Sequence, residues 1–312
     1  MVIQILILLA GLFLVVVGAD YLVEGASSVA RRFGLSEFVI GLTIVGMGTS
    51  APEMVVSFIG AIQGNADISI GNVVGSNIFN TLLILGVTAI LLPMAITREN
   101  MRRDIPTNIL VTVLFIGMLS SGLVRWEGAV LLVLFVWYMW DSFRKGAQDQ
   151  DSAQQADETA PRKLWLSLLM IAGGLAALIF GGRLFVNSAT GIAHALGVSD
   201  KFIAITILAG GTSLPELATC VAAAIKKKGQ LALGNIIGSN IFNLLLILGG
   251  SALIHPLSNN GITYVDMGAL LASAVALVAA CFIGKKNTID RLDGSLFVLL
   301  FAAYMTYLIV NL

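Results

Sequence analysis

The sequence predicts an all-α membrane protein of ten transmembrane helices, arranged as two inverted five-helix repeats. Three observations lead there. The 312 residues are 57% hydrophobic and only 12% charged, about half the charged share of an ordinary soluble domain. The apolar residues fall into runs of roughly 20, the length that crosses a ~30 Å hydrocarbon core at 1.5 Å per helical residue. Two blocks of sequence also recur at a constant offset of 163 residues. A transmembrane barrel would show alternating segments of ~10 residues instead, and this chain has none.

The runs place helices at 2–30, 38–62, 69–92, 105–123, 127–143, 164–195, 201–226, 231–254, 265–284 and 292–311. The first begins MVIQILILLAGLFLVVVGADYL. It lacks a basic n-region and a small-residue cleavage site, so it reads as a membrane helix rather than a signal peptide. The first and sixth runs exceed a perpendicular span and are expected to tilt. Residues 1–143 then form the first five-helix repeat and 164–312 the second. Between them, RKGAQDQDSAQQADETAPRK (144–163) reads as a polar linker. Its acids Asp149, Asp151, Asp157 and Glu158 read as solvated linker charges.

Basic residues set the orientation. With both termini outside, every Lys and Arg falls in a cytoplasmic loop except Arg125 and Lys201, which are outside, and Arg183, which lies within a helix. The central linker is then cytoplasmic. One helix more or fewer would destroy that alternation. Each half holds an odd number of helices, so the second half enters the membrane from the opposite side. Inverted repeats interrupted near the midplane are a transporter signature.

The duplicated blocks are GTSAPE (48–53) with GTSLPE (211–216), and GNVVGSNIFN (71–80) with GNIIGSNIFN (234–243). They place Glu53, Glu216, Asn80 and Asn243 near the middles of four helices, at one depth. A charge at the bilayer centre costs about 2.5–3.5 kcal/mol on insertion scales, so two glutamates there need partners or a cavity. Thr49, Ser50 and Glu53 share a helical face, as do Ser76 and Asn80. Pro52 and Pro215 cannot donate to Gly48 and Gly211 four residues back, which predicts a kink beside each glutamate. Glycines, Gly46 among them, allow close backbone approach.

This inventory is oxygen-only: two carboxylates, two amides, hydroxyls and carbonyls. It suits Ca²⁺, Na⁺ or Mg²⁺ rather than Zn²⁺ or Cu. Two carboxylates balance one Ca²⁺ or two monovalent cations. His194 and His255 stand alone, and Cys220 and Cys281 read as inert packing residues. No phosphate-binding GxxxxGK[ST] loop, HExxH motif or basic nucleic-acid tract occurs. Primary pumps, intramembrane hydrolases and nucleic-acid partners are therefore disfavoured, no cofactor is expected, and no protein partner is evident. A channel differs in predicting uncoupled current. Asp20 and Glu24 are expected to snorkel or to pair with a neighbouring helix. Trp126, Trp137, Tyr138, Trp140 and Trp165 read as an interfacial aromatic belt.

With these motifs the chain resembles the sodium/calcium exchanger family of the cation/calcium antiporter superfamily, in its prokaryotic form with two α-repeats. The resemblance implies a calcium/sodium antiporter of the plasma membrane, whose partners are inorganic cations and the lipid bilayer. It implies that Glu53 and Glu216 bind calcium, with Thr49 and Thr212 contributing mainly backbone oxygens. Ser50, Ser213, Ser76 and Ser239 would form flanking sodium sites, with carbonyls from Gly46 and Ala209, while Asn80 and Asn243 complete the middle site. The first and sixth helices would slide to expose the cavity to each side in turn. Sodium exchangers often carry Asp where this chain has Asn243. Two glutamates with two asparagines are similar to the proton/calcium branch, so H⁺ is the alternative coupling ion.

Overall fold

The computed structural model describes residues 2–120, 122–146, 161–197, 209–258, 261–282 and 287–311. The predicted helix start at 201–208 and most of the 144–163 linker, with its four acids, lie outside the described residues. Helix α1 (Val2–Phe33) is followed by a bent pair, α2 (Glu37–Thr49) and α3 (Ala51–Ile62), and then by α4 (Ala66–Leu91). Next come α5 (Ile105–Leu119), α6 (Arg125–Gly146) and α7 (Leu164–Ala195). In the second half a break at Ser213 separates the described stretch α8 (Ala209–Thr212) from α9 (Leu214–Ile225). The chain closes with α10 (Gly229–Ile254), α11 (Tyr264–Ala280) and α12 (Arg291–Val310).

By length and composition α1, α4, α7, α10 and α12 can each cross a membrane, as can the α2–α3 pair taken together. Burial sorts them. The most apolar stretch of α10 is 94% buried and that of α4 is 72% buried, against 22% for α1 and 17% for α12. The two helices carrying the GN…GSNIFN blocks are therefore central. Exposed Leu, Ile, Val and Phe cover the outer faces of α1, α7 and α12, as lipid contact requires.

Several boundaries differ from the expected ones for local reasons. Helix α4 starts three residues early because Asn65 caps it, its side chain accepting from the Ile68 N–H at 3.2 Å. A π-helical turn, Asn100–Asp104, precedes α5. Helix α11 stops at Ala280, ahead of the expected 284. Two short pairings join loops: β1 (Met94–Ala95) with β2 (Thr288–Ile289), and a single bridge from Leu123 to Leu257. The loop after α4 thus meets the one before α12. The loop after α10, its counterpart, meets the one before α6.

Helices α1 and α7 run along each other on glycines. A Cβ at Gly18 would sit 2.8 Å from the Gly174 carbonyl, so the two backbones touch. Asp20 and Glu24 of α1 do find neighbours. The Lys226 ammonium lies 2.6 Å from Asp20 and 2.9 Å from Glu24, and Arg162 lies 2.8 Å from Glu24. Burial pulls the Lys226 ammonium down, but the two carboxylates outweigh it and hold its pKa above the ordinary value. Trp126, Trp137, Trp140 and Trp165 are exposed, as a belt requires. Tyr138 is not part of that belt. It is buried, and its hydroxyl donates to Asp104 at 2.9 Å, because a buried phenol needs an acceptor.

Candidate cation site

The interruption expected at the prolines occurs two residues before each of them. Ser50 (φ −81°, ψ 8°) and Ser213 (φ −87°, ψ 8°) leave the helical region, and Pro52 and Pro215 sit in the first turn of the helix that follows. A proline is tolerated there because its missing N–H has no partner in that turn anyway. The α2–α3 bend is 48°. The neighbouring helices carry a matching feature. Each widens into a π-helical turn beside its asparagine, over Phe79–Ile84 in α4 and Asn243–Ile247 in α10. Such turns are rare and concentrate at functional sites.

The breaks bring the two halves together through their side chains. Glu53 Oε1 accepts from Ser213 Oγ at 3.1 Å and from Ser76 Oγ at 3.4 Å. Glu216 Oε1 accepts from Ser50 Oγ at 2.9 Å. Ser239 Oγ donates to the Gly46 carbonyl at 3.3 Å. The Thr49 hydroxyl donates to Asn235 Oδ1 at 3.1 Å. Thr212 is half-buried, and Ala209 lies in α8.

The other oxygens of the same residues are left over. Glu53 Oε2, Glu216 Oε2, Asn80 Oδ1 and Asn243 Oδ1 are all buried with no hydrogen-bond partner. Buried polar atoms are normally satisfied, at a cost of about 1–3 kcal/mol each when they are not, and more for charged groups. Two carboxylate oxygens and two amide oxygens, drawn from both halves, are thus left without a partner among the described residues, and they are oxygens of the kind a hard cation takes. Among the described residues no cluster of three His, Cys, Asp or Glu could hold a metal. The unpartnered oxygens are of two kinds, two from carboxylates and two from amides.

Sequence reasoning missed the residues behind these. Asn72 donates to the Glu53 carbonyl at 3.1 Å and to Ser57 Oγ at 3.0 Å. Its counterpart Asn235 donates to Cys220 Sγ at 3.2 Å, so Cys220 supports the site from behind rather than merely packing. Asn77 and Asn240 contact Asn243 and Asn80. All four asparagines lie in the duplicated blocks, and their three-residue spacing from Asn80 and Asn243 was the available signal for the last two.

Comparison with known proteins shows the family. The family described as sodium/calcium exchanger protein matches residues 3–143 and 166–310. The putative antiporter CaxA of Alkalimonas amylolytica is 40% identical, over 97% of this chain and 98% of its own. The sodium/calcium exchanger MaX1 of Methanosarcina acetivorans is 34% identical over 97% of both. A solved structure of the sodium-calcium exchanger NCX_Mj, soaked with Na⁺ and Ca²⁺, superposes with a TM-score of 0.86 at 34% identity and covers 98% of each chain. These relatives are transporters, not enzymes. The chain is an integral membrane cation/calcium antiporter, and it belongs to the sodium/calcium exchanger family.

Proposed function

We propose that the protein exchanges Ca²⁺ against Na⁺ by alternating access, without ATP, at one midplane site built from both halves. The observation that carries this reading is the set of four orphan oxygens on Glu53, Glu216, Asn80 and Asn243. Two buried carboxylates without a counter-charge are costly, and one Ca²⁺ or two Na⁺ neutralises them. The two ions then compete for one cage, which couples their movement. In this reading Glu53 and Glu216 hold calcium with the Thr49 and Thr212 backbone. Ser50, Ser213, Ser76 and Ser239, with the Gly46 and Ala209 carbonyls, take sodium to either side, and Asn80 and Asn243 complete the middle.

The frame is ten helices in two inverted repeats, 1–143 and 164–312. Both termini lie outside the plasma membrane and the 144–163 linker lies inside. The glycine-packed α1–α7 pair moves as a unit against the central helices. Support for the duplication comes from the paired breaks at Ser50 and Ser213 and the paired π-helical turns.

The test is radioactive calcium uptake into proteoliposomes at fixed pH and clamped voltage. Vesicles are loaded with Na⁺ or with a non-transported organic cation. Uptake that requires internal Na⁺ is the expected result. Uptake indifferent to Na⁺ but driven by an imposed pH gradient would replace sodium with the proton as coupling ion.

A further inference from the structure

We propose that Asn77 and Asn240 are positioning residues that decide which face of the Asn243 and Asn80 amides a cation meets. The proposal rests on the cage reading above. An asparagine amide offers an oxygen on one side and an NH₂ on the other. A cation site needs the oxygen, and the NH₂ would repel the ion. Something must therefore hold the amide the right way round.

The hydrogen bonds supply that constraint. Asn77 Nδ2 donates to the backbone carbonyl of Asn240 at 3.2 Å. A carbonyl can only accept, so the Asn77 amide cannot be reversed. Its Oδ1 is then the atom facing Asn243, and Asn243 Nδ2 donates to it at 2.9 Å. That bond turns Asn243 Oδ1 the other way, where it is buried and unpartnered. The second copy repeats the pattern. Asn80 Nδ2 donates to Asn240 Oδ1 at 3.3 Å, and Asn80 Oδ1 is likewise buried and unpartnered.

The two copies differ in their anchor. Asn240 is itself held by donating Nδ2 to Thr81 Oγ1 at 2.8 Å. A hydroxyl can donate as well as accept, so this link can reverse where the Asn77 link cannot. The residue 163 positions after Thr81 is Leu244, so the hydroxyl anchor belongs to one copy only. The orientation of Asn243 is therefore the stricter of the two.

A carboxylate has two equivalent oxygens and needs no such control. This yields a test that a purely structural role would not pass. Calcium KM and maximal rate are measured in proteoliposomes for Asn77→Ala, for Asn243→Asp and for the double variant. Removing a partner that orients a metal ligand typically costs about 10–100-fold in affinity. Asn77→Ala is expected to raise calcium KM by that order in the native background. In the Asn243→Asp background an aspartate presents oxygen either way and its second oxygen faces the fixed Asn77 Oδ1, acceptor against acceptor, so the same change is expected to cause no loss and even to lower KM by relieving that contact. Asn240→Ala with Asn80→Asp should behave alike, with a smaller first effect.

Equal KM losses for Asn77→Ala in both backgrounds would overturn the proposal. So would cation-free thermal midpoints that fall equally in both backgrounds while KM stays put, since that describes packing alone. If Asn77→Ala fails to fold, the Asn240 and Asn80 set decides by the same criteria. Failure of the cage reading looks different: the parent protein itself would carry no Na⁺-dependent calcium flux.

Discussion

In the first half, Asn72 reaches from the Glu53 backbone to a serine hydroxyl. In the second half the equivalent Asn235 takes its hydrogen bond from Thr49 of the other half and gives its own amide to the sulfur of Cys220. The groups of the proposed cation site are the same in both copies: one glutamate, one asparagine, paired serines. The groups that hold them are not. Ser57 stands opposite Cys220, and Thr81 opposite Leu244. The difference teaches that only the charge and oxygen count at the centre must be duplicated. The supporting shell needs only to deliver a donor or acceptor of the right sense at each point, so it can diverge.

The strongest way to break this comparison is at the carboxylates. Glu53→Gln and Glu216→Gln are each expected to cut calcium uptake by about 100-fold or more, beyond the usual cost of a supporting residue. Each removes one of two charges balancing the ion. Full flux in either variant would mean that the copies are not equivalent and that one carboxylate suffices. Calcium uptake at saturating Na⁺ gradient is the measurement.

A second test moves from charge to packing. A Cβ at Gly238 would collide with the Leu42 carbonyl, where α10 lies directly on α2. Overpacking against backbone costs about 1–3 kcal/mol or more. Gly238→Ala is expected to lower the thermal midpoint in detergent and to reduce the folded yield. A midpoint equal to that of the parent would show that the two helices can separate without penalty.

The smallest effect sharpens the comparison. Gly64 (φ 69°) ends α3, and the equivalent position after α9 is Lys227 (φ 58°). The same left-handed turn is made by glycine in one copy and by an exposed lysine in the other. A side chain in that region costs roughly 1–2 kcal/mol. Lys227→Gly is expected to raise the thermal midpoint by a degree or two, with calcium flux unchanged. A fall would assign Lys227 a contact that outweighs the strain.

Much of this was legible in the chain. Apolar runs are local and long, so among the described residues helix ends came out within a few residues of the expected ones. The duplicated GTS-x-PE and GN…GSNIFN blocks pointed to residues that do meet: Glu53 with Ser213 and Ser76, Glu216 with Ser50, and Gly46 with Ser239. Tyr138 was misread because its position beside Trp137 and Trp140 suggests the same interface. Whether a helical residue faces lipid or core depends on a neighbour, here Asp104, that is distant in sequence.

The sequence by itself determined the membrane class, the duplication and the chemistry of the donors. Hydropathy, charge placement and residue type are properties of the chain and need no partner. Only the tertiary structure decided which carboxylate oxygen is spent on a serine and which is left over. It also decided which end of each amide faces the site, and which residues enforce that choice. Those outcomes depend on the direction of hydrogen bonds between helices about 160 residues apart. A backbone carbonyl of one half fixes the amide of the other, and no local pattern encodes that sense.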